Sequence, residues 1–170
     1  MIGDDEHEGG VDIPEPDLRV SKREVMVRVF LDGKEWCEGS VFLYLSSRVR
    51  PGRERMSDLL KEEGGFLAFR EEGGTRLLNV GRIHVVAAPA EEEVDELYGL
   101  SCKIDVEIEV AGGYRVGGRL FGLLPREGSR TKDLLNLDER FVRLSHGDEV
   151  YLINKSAIVS VRETGGGARG

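Results

Sequence analysis

Arginine has the most chemistry to offer in this 170-residue chain, and it gathers just ahead of two short helical patterns. Arg50, Arg53 and Arg55, with Arg48 upstream, precede Met56-Ser57-Asp58-Leu59-Leu60; Arg126, Arg130 and Lys132 surround the start of Thr131-Lys132-Asp133-Leu134-Leu135. A basic loop feeding a helix start can hold an anion. Guanidinium forks grip phosphate through paired hydrogen bonds, and exposed backbone N–H groups add partial positive charge. Phosphate, in a nucleotide or an RNA backbone, is the chemistry such loops suit; pairing with the chain's own acids is the competing fate. Asn79, Asn154 and the adjoining Lys155 are the other candidate contacts, at strand corners where an asparagine side chain readily bonds the backbone.

Other reactive types are dispersed. His7 lies in an acidic N-terminal stretch, His84 between Ile83 and Val85, and His146 beside a Gly-Asp pair, with no partner at ligand or triad spacing. Asp58 and Asp133 recur, but one carboxylate per copy makes no acid–base pair; their position suits neutralising Arg55 or Arg130, or a helix N-terminus. The sequence contains no phosphate-binding glycine loop, dinucleotide fingerprint or nucleophile elbow. Stacking of single-stranded bases needs aromatic faces, and only Trp36, Phe42, Tyr44 and Tyr114 stand outside the aliphatic pattern. The expectation is a protein without catalytic residues, metal or cofactor, working by binding.

The elements that position these residues are written twice. Residues 55–86 align with 130–161 without a gap, at an offset of 75, and nine of the 32 pairs are identical: Arg55/Arg130, Asp58/Asp133, Leu59/Leu134, Leu60/Leu135, Phe66/Phe141, Leu77/Leu152, Asn79/Asn154, Ile83/Ile158 and Val86/Val161. Upstream the offset becomes 79, pairing Val27/Val106, Gly33/Gly112, Gly39/Gly118 and Phe42/Phe121. The chain thus uses one module of roughly 65 residues two times. A module of that size is near the lower limit for folding alone, so the copies are expected to pack on each other or assemble with further ones.

Within each module a period of 2 dominates. Val25, Val27, Val29 and Leu31 alternate with Met26, Arg28 and Phe30, as Ile104, Val106, Ile108 and Val110 do with Asp105, Glu107 and Glu109. That is a strand with one buried face. Turns follow at Asp32-Gly33 and Gly112-Gly113. The second strand starts near Trp36 or Arg115, and its interior Gly39 or Gly118 marks a sharp bend. The Asp-Leu-Leu segments predict a helix of one to two turns, capped by Ser57 in one copy and Ser129 in the other. Strands over 66–70 and 76–86, and over 141–145 and 150–161, complete the copies, with a break at each asparagine. The expected architecture is mainly β: two tandem small β-barrels of Sm/SH3-like type, each with one short inserted helix. Expected boundaries are a disordered acidic arm at 1–20, modules at 21–87 and 100–163, an acidic linker at 88–99 and a flexible tail at 164–170.

Of the net charge of −8, residues 1–20 hold −6 and residues 88–98 hold −5, which leaves +3 for the rest of the chain. Overall acidity therefore does not exclude an anionic partner for the modules. No run approaches the length of a membrane span, the N-terminus lacks a basic-then-apolar leader, and Cys37 and Cys102 fall at non-equivalent points of the repeat. A reduced, bacterial-type cytoplasm is the expected setting.

The stretch from Val106 to Gly118, the segment Phe141-Val142-Arg143-Leu144 and the run from Leu152 to Val161 together resemble the Sm/Hfq-like small β-barrel, an SH3-type roll. Leu152-Ile153-Asn154-Lys155-Ser156-Ala157-Ile158 is similar to the junction of strands 4 and 5 in the Hfq family, and Asn79-Val80-Gly81-Arg82-Ile83 occupies the same place in the first copy. The helix lies between the second and third strands here, not before the first. Lys155 matches part of the basic-and-histidine pair that contributes to RNA binding in Hfq, Ser156 stands in place of the histidine, and Val80-Gly81 match neither. The resemblance implies a fold and a ring-forming tendency, tandem barrels pairing edge to edge so that three chains imitate a hexamer. The expected function is a non-enzymatic protein-interaction or assembly module, its partner another protein or a second copy in a homo-oligomer. RNA or nucleotide binding through the arginine loops is the alternative.

Overall fold

The period-2 segments fold as ten strands of one continuous antiparallel sheet, in a computed structural model that describes residues 21–62, 64–94, 96–124 and 130–165. In chain order the first half contains β1 (Lys22–Leu31), β2 (Glu35–Tyr44), α1 (Met56–Glu62), β3 (Phe66–Glu71), β4 (Gly74–Asn79) and β5 (Ile83–Pro89). After α2 (Ala90–Glu93) and a 3-10 segment (Glu96–Leu100), the second half contains β6 (Cys102–Val110), β7 (Tyr114–Gly122), α3 (Thr131–Leu135), β8 (Phe141–His146), β9 (Glu149–Asn154) and β10 (Ile158–Glu163). Single 3-10 turns, Val80–Arg82 and Lys155–Ala157, separate β4 from β5 and β9 from β10. No helix among the described residues is long and apolar enough to cross a membrane.

The expectation of two separate barrels needs correction. The strand order is β10-β6-β7-β8-β9-β5-β1-β2-β3-β4: each half has the same internal order, and the halves are welded by β5 against β9. Among the described residues β4 does not pair with β5, nor β9 with β10, so the sheet is open at both ends. The physical reason is that β5 already has β1 on one side and gives its other row of backbone groups to β9.

At Gly39 and Gly118, where bends were expected, the next strand comes very close. A Cβ on Gly39 would lie 2.4 Å from the Arg70 carbonyl oxygen, and one on Gly118 would lie 2.4 Å from that of Ser145, so β3 and β8 leave no room for a side chain there. The core has two parts, and the halves interpenetrate. Phe121, Phe141, Val150 and Leu152 pack with the first half's Val25, Val29, Leu43 and Leu60, while Phe30, Val85 and Ala87 pack with the second half's Ile108, Leu120 and Ile153. Phe30 breaks the alternation of β1 for this reason: it is buried against Trp36 and Tyr114, with ring centroids 5.3 and 5.2 Å away.

The helix starts also differ from expectation. Asp58 Oδ2 accepts the Arg55 backbone N–H at 2.9 Å, and Asp133 Oδ2 accepts that of Arg130 at 3.3 Å, so the repeated aspartates close both helices. Ser57 is inside α1 and donates its N–H to Glu93 Oε1 at 3.3 Å. Ser129, Arg126, His7 and the acidic arm lie outside the described residues.

Candidate functional site: a strand junction and two open edges

The arginine loop of the first half is largely bound to its own chain. Arg50 forms an ion pair with the buried Asp58 at 2.8 Å and donates to the carbonyls of Pro51 at 3.0 Å and Arg53 at 2.6 Å. Glu54 is buried and accepts the Tyr44 N–H at 2.7 Å, which pins the loop to the end of β2. Arg50 and Arg55 line a cleft of about 220 Å³ that also includes Arg140 and Arg143; Arg53, exposed, faces a neighbouring groove with Arg23. Arg130 and Lys132 are exposed at the start of α3 and are not among that cleft's residues. Among the described residues, Arg130 and Lys132 therefore do not share the cleft of Arg50 and Arg55. Trp36 and Tyr114 are 5.4 Å apart at the seam of the halves, engaged in packing, and Arg70 covers Phe42 at 4.5 Å.

Lys155 extends its ammonium to the Leu137 carbonyl and so ties down the segment after α3. The asparagines do two different things. Each uses Oδ1 to close its own 3-10 turn, Asn79 accepting the Gly81 N–H at 2.9 Å and Asn154 the Ser156 N–H at 3.1 Å. Asn154, 0% exposed, also donates through Nδ2 to the Ile83 carbonyl at 3.0 Å, across the junction of the halves.

That junction joins the halves through a five-residue ladder. Val85, Val86, Ala87, Ala88 and Pro89 oppose Ile153, Leu152, Tyr151, Val150 and Glu149 in turn. Leu152 is 0% exposed and Phe141 6% exposed, both packed into the first half's core. Two ion pairs span it, Lys61–Glu139 at 3.0 Å and Arg28–Glu149 at 2.7 Å. Their repeat counterparts sit on the strands left without a second neighbour. Leu77, on β4, is 65% exposed, Phe66 is 59% exposed, and Asn79 is exposed; on β10, Val159 is exposed and Val161 half-buried.

No family model, curated protein or solved structure matches the chain. Function must come from the geometry. Among the described residues no three His, Cys, Asp or Glu side chains converge as a metal set. His146 shares a hydrogen bond of 2.6 Å with the Gly117 carbonyl, and His84 packs edge-on to Phe30 at 6.3 Å. Glu93, only 1% exposed, keeps Oε2 without a partner, and burial pushes its carboxyl above the ordinary value. Sequence reasoning missed Leu152, Asn154, Ile83 and Val86 as the residues that join the halves. The signal was present in the identities themselves, because four of the nine identical pairs, the asparagines included, lie on the junction strands or on the open edge strands.

Proposed function

We propose that this chain is a non-enzymatic assembly module that binds protein by adding strands to its sheet edges, on a scaffold of two Sm/SH3-like units. The observation that carries the reading is the β5–β9 junction: one half of the chain already recognises the other by strand addition, and β4 and β10 remain with one neighbour each among the described residues. Backbone ladders supply affinity in this mode, and the side chains that alternate along the edge supply selectivity. Exposed Leu77, Phe66 and Val159 are apolar groups that such a partner would cover.

The alternative, RNA or nucleotide binding, draws its support from the cleft lined by Arg55, Arg140 and Arg143. Hydrogen exchange separates the two. In an extract of the source cells, with or without nuclease, peptides covering β4 and β10 gain protection relative to the dilute purified chain. Protection that instead covers residues 48–61, falls steeply with salt and disappears with nuclease would transfer the function to RNA.

A further inference from the structure

We propose that the occupant of both open edges is a second copy of this chain, joined head to tail, with β10 of one copy laid against β4 of the next in the register that β5 and β9 already use. This rests on the edge-binding reading above and names its partner. Shifting the internal junction by the repeat offset of 75 sets Val161 opposite Leu77 of the next copy, Ser160 opposite Leu78, and Glu163 opposite Thr75.

Side chains on the open edges match that register. Val86 and Leu152 oppose each other at the internal junction, both fully buried, and Val161 and Leu77 are the same two residue types. Phe121 and Phe141 accompany Leu152 into the core of the first half. Phe42, Phe66 and Leu77 are their counterparts in the first half, yet Phe66 and Leu77 are largely exposed. Among the described residues Phe66 and Leu77 stay mostly uncovered, whereas Phe141 and Leu152, identical to them, are buried.

The polar clasp is also duplicated. Asn154 holds its own turn through Oδ1 and reaches the Ile83 carbonyl through Nδ2. Asn79 holds its own turn identically. In the proposed register its Nδ2 donates to the Ile158 carbonyl of the preceding copy, Ile158 being identical to Ile83. The hairpin turns fit as well: a Cβ on Gly112 would lie 2.3 Å from the Gly33 carbonyl oxygen, so these turns touch within the chain, and both copies carry glycine there.

The joint between chains is weaker than the internal one. Gly64 and Gly74 stand where Glu139 and Glu149 stand in the second half, so neither junction ion pair is reproduced. Arg162 faces Arg76 of the next copy, although Arg76 is met by Glu71 at 2.6 Å. The contact uses different surfaces on its two sides, so two copies leave one β4 and one β10 open, and association continues until a ring closes.

Cysteine pairing tests the register. In a Cys102→Ser background, Leu77→Cys and Val161→Cys chains are mixed and mildly oxidised, the two positions being directly opposed and within disulfide reach. A covalent two-chain product is expected from the mixture and not from either chain alone. Equal product from Leu77→Cys alone, or none from the mixture, overturns the register. Asn79→Asp keeps the acceptor for the Gly81 N–H but loses the donor and sets a carboxylate against a carbonyl. It is expected to fold normally and to weaken association about tenfold or more; association equal to the parent's overturns the clasp. A purified chain fixed at 18.8 kDa whose β4 and β10 still gain protection in extract refutes the second copy and leaves edge binding standing. Absence of protection in both settings removes both.

Discussion

Asn154 and Asn79 are the same residue at the same corner of the repeat, and their replacement by alanine should differ sharply. Asn154→Ala removes the acceptor of the Ser156 N–H at 3.1 Å and the donor to the Ile83 carbonyl at 3.0 Å, at a site with 0% exposure. The Ile83 carbonyl, stranded away from water, costs about 1–3 kcal/mol, and the lost cap of the exposed Ser156 about 0.5–1 kcal/mol, so the substitution costs about 1.5–4 kcal/mol. Asn79→Ala removes the acceptor of the Gly81 N–H, but that corner is open to solvent and water takes over. Its cost is that of a lost cap, about 0.5–1 kcal/mol. At about 2–4 °C per kcal/mol for a chain of this length, the first variant melts roughly 3–16 °C below the parent and the second about 1–4 °C below. Urea unfolding followed by circular dichroism in dilute solution gives the comparison directly, with unchanged slopes confirming the same folded state. Losses equal within about 0.5 kcal/mol would show that the Asn154–Ile83 bond does not hold the halves together, and would refute the reasoning.

Two further outcomes follow from buried groups. Burial raises the Glu93 carboxyl above its usual value of 4.5, so its contribution to stability is complete below that pH and is lost as pH rises through the raised value. Glu93→Gln keeps an oxygen for the Ser57 N–H, so melting temperatures measured across pH should show a gain at neutral pH that disappears toward pH 4.5; a gain independent of pH contradicts this. Gly118→Ala would press a methyl group to 2.4 Å from the Ser145 oxygen and costs about 2–3 kcal/mol in urea unfolding, whereas Gly73→Ala, with nothing within 4 Å, is tolerated.

Local chemistry was legible in the sequence, and distant pairing was not. Alternation from Val25 to Leu31 located β1, the glycines located the turns, and the repeated aspartates were correctly placed at helix starts. Phe30 escaped because its burial comes from Tyr114, supplied by the other half. Ser57 was misread as a cap because Glu93, 36 residues away, accepts its N–H. The junction escaped for a deeper reason: a strand's backbone groups are the same whichever strand they meet, so nothing in β5 alone says whether β4 or β9 lies beside it. Phe66 and Phe141 make the point, since identical residues in equivalent strands are 59% and 6% exposed only because one half has a neighbour. The asparagines were read correctly for Oδ1, which bonds two residues away, and missed for Nδ2, which bonds 71 away. The arginines were read as held either by an anion or by the chain's own acids, and the pairing of Arg50 with Asp58 and a loop carbonyl arises through a fold that the spacing does not reveal.

The central claim is that the copies share edge residues because the open edges repeat the internal junction between chains. Sedimentation of the full chain over a wide concentration range tests it most directly, beside Leu77→Arg, which places a charge where Val161 of the preceding copy would pack. The expected result is a parent mass that rises with concentration through multiples of 18.8 kDa, and a variant that stays at 18.8 kDa with its fold intact. A parent and variant both fixed at 18.8 kDa at every concentration would contradict the account.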